Sequence, residues 1–441
     1  MKDFRELSWS EGTEAILALL PRLTVLRGVL AAKPVRELLR CCESIVEGDI
    51  REAAEACFSM TSAMLRSNFR RVTGDLFKDM LLHKLLLEPH PFARMAAANR
   101  LDEALYNGLK ADMDVLCSLK DLDGETLYRF IQERYKELRQ KAGPGKDSAA
   151  RLAEAAWGGS AVRPAVEENV QPLPKLPMFL PAEAPNWQYG EEELRDSYVA
   201  DEALEEMYHR FLESELDWSA MAEDIWNFFA AYGTGVFLKD RLFMWRRGAL
   251  FPMEDLRLMP TRPLLEKEYR ACLNHTIEFM RGTTSEPILL TGGDGMGKTT
   301  MLFSLADELP EMRLIYVPGC RDISELSPLF NVLADQPHKF MVALDDACFT
   351  GMAVRAVPVN VLLFAAAANP ASRVAGAFTK RVALPQLRLD GFAEMVQKLL
   401  DAEGASLPRE VVRSACVDHQ VDSKGELTVA AAVAVAQGLK N

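Results

Sequence analysis

No apolar run among these 441 residues approaches the length needed to cross a bilayer, which is about 18 residues. The first residues, Met1-Lys2-Asp3-Phe4-Arg5, open on charge and lack the apolar core of a secretory signal, so a cytoplasmic location is expected. Eight cysteines occur without a single Cys-X-X-Cys pair, and the six histidines do not gather around them. That excludes the usual zinc modules and a disulfide framework, and Cys41, Cys42 and Cys57 read as small buried apolar residues within helices. Excess basic charge is also missing: 51 Lys and Arg face 64 Asp and Glu, a net charge of −13. Sequence-independent grip on nucleic acid needs clustered cations, so nucleic acid is not the expected partner. The pairs Arg70-Arg71 and Arg246-Arg247 read as solvated surface. No internal repeat is evident. What is present is an ordinary globular composition, in a chain too long for one core.

Residues 1–141 read as successive amphipathic helices forming an N-terminal all-α domain. Val35, Leu38, Leu39, Cys42, Ile45 and Val46 recur at helical spacing, with Pro34 at the start and Gly48-Asp49 after the end. Across 142–200 the composition turns to Gly and Pro, as in Gly143-Pro144-Gly145 and Pro172, Pro174, Pro177, Pro181 and Pro185, which reads as a linker or irregular arm. Residues 201–254 read as a helix and then a β-hairpin, with Val236-Phe237-Leu238 and Leu242–Trp245 flanking Lys239-Asp240-Arg241. From 255 to 390 apolar strand runs alternate with helices, the last run being a short Leu387-Arg388-Leu389. Such alternation predicts an α/β core with a mostly parallel sheet and ligands at the strands' carboxyl ends. Residues 391–441 read as a small helical lid.

Inside that core, Gly292-Gly293-Asp294-Gly295-Met296-Gly297-Lys298-Thr299 fits the G-x-x-x-x-G-K-[ST] pattern, with Thr300 following. The run Ile288-Leu289-Leu290 before it reads as a buried strand and Thr300–Glu308 after it as a helix, the context a phosphate-binding loop requires. Glycines let successive amides turn inward onto phosphate, and the helix start adds its positive end. Lys298 is then expected to reach the β- and γ-phosphates, and the Thr299 hydroxyl to ligate Mg²⁺. Further parts follow in order. The strand Phe340–Leu344 ends in Asp345-Asp346: Asp345 is placed to hold the metal shell and Asp346 to polarise an attacking water. A third strand, Val361–Ala368, ends at Asn369, whose carboxamide can orient that water. The chain is expected to bind a nucleoside triphosphate with Mg²⁺.

The combination resembles an uncharacterised bacterial family of AAA+-type ATPases known as a domain of unknown function. The likeness is carried by the loop, by Phe243-Met244-Trp245 with Leu250-Phe251-Pro252, and by the helix ending Asn274–Gly282. Arg321–Leu326 and Lys339-Phe340 through Asp345-Asp346-Ala347-Cys348-Phe349 extend it over roughly residues 240–350. The resemblance implies ATP as the nucleotide, an AAA+-type P-loop core with a lid, and self-association, while the loop, Asp345-Asp346 and Asn369 point to hydrolysis coupled to a conformational change on an unknown protein partner. It places the adenine near 258–265 and gives Arg381, read as lying just before the last strand, the reach to a neighbour's γ-phosphate. Two departures stand out. Only fourteen residues separate Asp346 from Val361, where the family has a longer connection containing a helix. In the lid, Glu426 occupies the expected place of an arginine, with Lys424 nearby as a substitute point charge. Those departures suit an alternative: a nucleotide-gated interaction protein with little or no turnover.

Overall fold

A computed structural model describes residues 3–141, 180–190, 201–213, 217–253, 265–319, 323–345, 357–368, 378–402, 404–405, 407–422 and 427–440. The chain divides into two compact units, Met1–Ala96 with Leu101–Phe228, and Ala97–Arg100 with Phe229–Asn441. Among the described residues no helix is long and apolar enough to cross a membrane.

The first unit is all-α, and its helices begin and end where local chemistry dictates. Ser8 caps the helix Trp9–Leu19 in a reciprocal box with Glu11. Pro34 sits in the first turn of Lys33–Glu47, and Gly48, at φ +87°, closes that helix in the left-handed region where a side chain would be strained. Asp49 then caps Ile50–Arg66. The two helices pack with Val35, Leu38, Cys42 and Ile45 facing inward, and all three expected cysteines are fully buried. Burial pushes the Cys42 thiol far up, so it is inert as a nucleophile. Leu39 is only half-buried and Val46 is exposed. Both fall a step off the stripe traced by residues 35, 38, 42 and 45, which is why the helix turns them outward.

The described part of the Pro-rich segment, 180–190, forms an irregular arm laid on this unit. Trp187 is its anchor, 1% exposed. Its indole N–H donates to Thr61 Oγ1 at 2.8 Å, and its carbonyl accepts from the Leu76 N–H at 2.9 Å. On either side Tyr128 donates its hydroxyl to the Pro181 carbonyl and Gln188 donates to Asp75. Tyr189 donates to Asp79, a carboxylate whose pKa burial raises while the Tyr189, Val72 and Thr73 donors hold it down. Prolines prevent regular structure here but do not prevent docking.

The second unit is built on a seven-stranded sheet: β1 Leu242–Arg246, β2 Ala249–Pro252, β3 Ile288–Thr291, β4 Arg313–Pro318, β5 Phe340–Asp345, β6 Val361–Ala367 and β7 Lys380–Ala383. Their order is β2-β1-β4-β5-β6-β3-β7, parallel throughout except for β2. Alternate residues of each strand serve opposite faces. Ile288, Leu290, Leu314, Met341 and Phe364 pack against the helices Glu266–Met280 and Lys298–Glu308. Leu289, Ile315, Val342 and Leu363 pack against Ser327–Ala334 and Val236–Lys239. Three helices, Leu389–Ala402, Arg409–Asp422 and Val429–Gly438, complete the unit as a lid. With β6 between β3 and β5, the second unit is an α/β core on a mostly parallel sheet, and the first unit is all-α.

Three local expectations are corrected. The hairpin exists, but one strand later: Val236–Lys239 is a short helix, and the antiparallel pair is β1 with β2. Arg247 at φ +53° and Gly248 at φ +77° form its two-residue turn, the paired positive-φ geometry that matches strand twist. Leu387-Arg388-Leu389 is no strand, because Leu389 opens the first lid helix. The last strand is β7, so Arg381 lies within it and not before it.

Candidate functional site

Parallel pairing sets the chemistry at one edge of the sheet. β3 and β5 are separated only by β6, so the loop after Thr291 and the acid ending β5 emerge side by side. The loop is shaped by its glycines. Gly295 and Gly297 hold φ of +72° and +83°, and Gly297 is the residue from which the helix Lys298–Glu308 starts. Gly292 is needed for a different reason, since a Cβ there would lie 2.8 Å from Leu384 Cβ.

Lys298 is 7% exposed, and its ammonium donates to the carbonyls of Gly292 at 2.8 Å and Gly293 at 2.9 Å. The loop thus wraps its own cation. Asp294, largely exposed, comes only within 3.9 Å of that ammonium. Thr299 donates its hydroxyl to Asp345 Oδ2 at 2.5 Å, joining the loop helix to the end of β5. Asp345 is itself 7% exposed. A hydroxyl and a carboxylate so placed are hard oxygen donors of the kind Mg²⁺ prefers when it keeps part of its water shell. The residues fit the ion that the sequence calls for.

Met296 departs from a ligand-facing role in its side chain, which is buried in the core with Leu427 and Val429 of the lid. Thr300 contributes a helical carbonyl, bonded by Ser304, one turn inside the helix. Arg381 is exposed on β7, opposite Leu289, with its guanidinium Nε donating to the Phe378 carbonyl at 3.1 Å. Among the described residues no hydrogen bond or ion pair links it to Lys298 or Asp345. Asp346, Asn369, Lys424 and Glu426 lie outside the described residues, as does the expected adenine cradle over 258–265 except for its last residue, Leu265, which is buried in the core.

Two contacts here escape sequence reasoning. Tyr316 of β4 donates its hydroxyl to Asp345 Oδ2 at 3.0 Å. Its one signal is being the only hydroxyl-bearing residue in an otherwise aliphatic run, Leu314–Val317. The second contact joins lid and loop: the Ala430 N–H, in the first turn of the last helix, donates to the Gly295 carbonyl at 3.0 Å. Thr428 caps that helix through the Ala431 N–H, and its Oγ1 would stand 3.1 Å from a Cβ on Gly295. Gly295→Ala therefore meets both a left-handed backbone and the lid. It is expected to cost the second unit about 1–2 kcal/mol of stability, readable as an earlier urea midpoint.

Residues 239–374, which include the loop, its helix and the acid pair Asp345-Asp346, match the model of a family described as a protein of unknown function, DUF815. This segment is similar to that family. It covers the stretch whose motifs resemble an uncharacterised AAA+-type family, and extends through β6. No curated protein matches the chain. Among solved structures, the Thermotoga maritima RuvB Holliday junction branch migration motor is 14% identical over 42% of this chain and 74% of its own, with a TM-score of 0.29. Caenorhabditis elegans PCH-2 is 16% identical over 40% of this chain and 69% of its own, with a TM-score of 0.24. At those scores neither likeness bears on the chemistry of the site, which stands on its own residues.

Proposed function

We propose that this chain binds ATP with Mg²⁺ at residues 292–300 and hydrolyses it, using the cycle to move the lid against a protein partner. The observation that supports this best is the close set of Lys298, Thr299 and Asp345. A buried ammonium rests on two loop carbonyls while a hydroxyl and a carboxylate meet at 2.5 Å beside it. A polyphosphate entering the nest offers Lys298 charged oxygens in place of neutral carbonyls, and charge-assisted bonds are about twice as strong. The loop amides and the helix start bind the phosphate, and Thr299 with Asp345 would hold the metal. When bound, Mg²⁺ supplies neutralisation of charge on the β- and γ-phosphates. Asp346 takes the role of polarising the attacking water, Asn369 orients it, and Arg381 serves a neighbouring copy's nucleotide.

The alternative, a nucleotide-gated interaction protein with little turnover, is favoured by two sequence observations, the short connection from Asp346 to Val361 and the carboxylate of Glu426 where a lid arginine is expected. Calorimetry with ATP and Mg²⁺, run beside phosphate release, separates the two. An active enzyme releases phosphate steadily, and Asp346→Asn should keep binding while lowering release about 100-fold, as expected for loss of a general base. Tight binding without release in the unaltered chain supports gating. Absence of binding to any triphosphate rejects both. Mass in solution with and without ATP tests self-association, and addition of DNA or RNA to the release assay tests whether nucleic acid stimulates it.

A further inference from the structure

Asp345 collects two hydroxyls on a single oxygen. Thr299 Oγ1 lies 2.5 Å from Oδ2 and the Tyr316 hydroxyl 3.0 Å from the same atom. The first bond belongs to phosphate-loop chemistry, but nothing in that chemistry calls for the second. Tyr316 is delivered by β4, where it pairs with Ala343, two residues before the acid. Its ring packs against Phe303 of the loop helix, with centroids 5.4 Å apart and planes tilted 49°. A phenylalanine would fill that space equally well. The hydroxyl is what distinguishes the residue, and it is spent on the one carboxylate proposed to hold the metal.

An ionised carboxylate only accepts, and it can take about four hydrogen bonds while turning freely about its last torsion. Two donors from different elements, one on the loop helix and one on β4, remove that freedom and fix the directions of the remaining lone pairs. Partners that orient a ligating group in this way tune metal affinity almost as strongly as the ligand itself. We propose that Tyr316 is a positioning residue for Mg²⁺, fixing the Asp345 carboxylate through its hydroxyl and so setting how far the metal strengthens nucleotide binding. This rests on the nucleotide reading above.

The test measures ATP affinity of the full chain by calorimetry, once with Mg²⁺ and once with EDTA, for the unaltered protein and for Tyr316→Phe. The Phe variant keeps the ring contact with Phe303, and a thermal melt confirms its fold. The gain in affinity conferred by Mg²⁺ should shrink about tenfold in the variant, with the EDTA affinity unchanged. Tyr269→Phe serves as a control, since that hydroxyl binds the Ser304 carbonyl and Glu308 on the far part of the same helix. It should leave the Mg²⁺ gain intact. An unaltered gain in Tyr316→Phe, or an equal fall with Mg²⁺ and with EDTA, overturns the positioning role while leaving nucleotide binding in place. Failure of the unaltered chain to bind ATP in either buffer overturns both.

Discussion

Lys298→Ala is expected to weaken ATP binding about 100-fold or more and to abolish phosphate release, in line with removal of a preorganised charged donor from a phosphoryl site. The side chain is buried, and its ammonium already sits on the carbonyls of Gly292 and Gly293, which it must exchange for phosphate oxygens. Truncation removes that charge and also leaves the loop without its internal tie. Lys298→Arg should rescue little, because a planar fork cannot replace a compact cation reaching two carbonyls 2.8 Å and 2.9 Å away inside a tight loop. Calorimetry reads the loss. Far-UV circular dichroism, unchanged in both variants, would show that it is not a folding defect. Binding within threefold of the unaltered chain would remove the loop from the proposed site.

The largest expected effect on stability lies in the other unit. Trp187→Ala should cost about 3–5 kcal/mol, the range for removing a buried large aromatic side chain. Trp187 is 1% exposed, and its ring centroid lies 5.5 Å from that of Phe77. By contrast Thr61→Ala removes only the acceptor of its indole bond at 2.8 Å and should cost about 1–2 kcal/mol. Urea unfolding followed by circular dichroism distinguishes the two changes. A cost for Trp187→Ala below that for Thr61→Ala would mean the arm contributes no packing to the unit.

The legible parts of this molecule were those whose chemistry is local. Gly295, Gly297, Lys298 and Thr299 announce a loop because backbone conformation and residue type are tied together there. Asp345 was placed by the end of an apolar strand. Spacing puts Val35, Leu38, Leu39, Cys42, Ile45 and Val46 together, of which four are buried while Leu39 is half-buried and Val46 exposed at the margin of the face. What could not be read depends on pairing across distance. The hairpin lies one strand later than the sequence suggests because Val236-Phe237-Leu238 is as apolar as a strand, while Phe237 packs onto Phe243 and Phe340 from a short helix. Arg381 was set before the last strand because only pairing with β3 shows where β7 begins. Tyr316 and the lid contact were invisible for the same reason: their partners, Asp345 and Gly295, lie on other elements. The arm was readable as irregular, but its docking through Trp187 was not, because Pro content reports on regularity and not on burial.

The bond from Ala430 to the Gly295 carbonyl ties the C-terminal helix to the middle of the loop. Energetic linkage is reciprocal, so whatever factor a triphosphate applies to the helix's position, a ligand gripping the helix applies to triphosphate affinity. A regulator of this chain therefore needs no access to the nucleotide. The last helix is a handle on the loop.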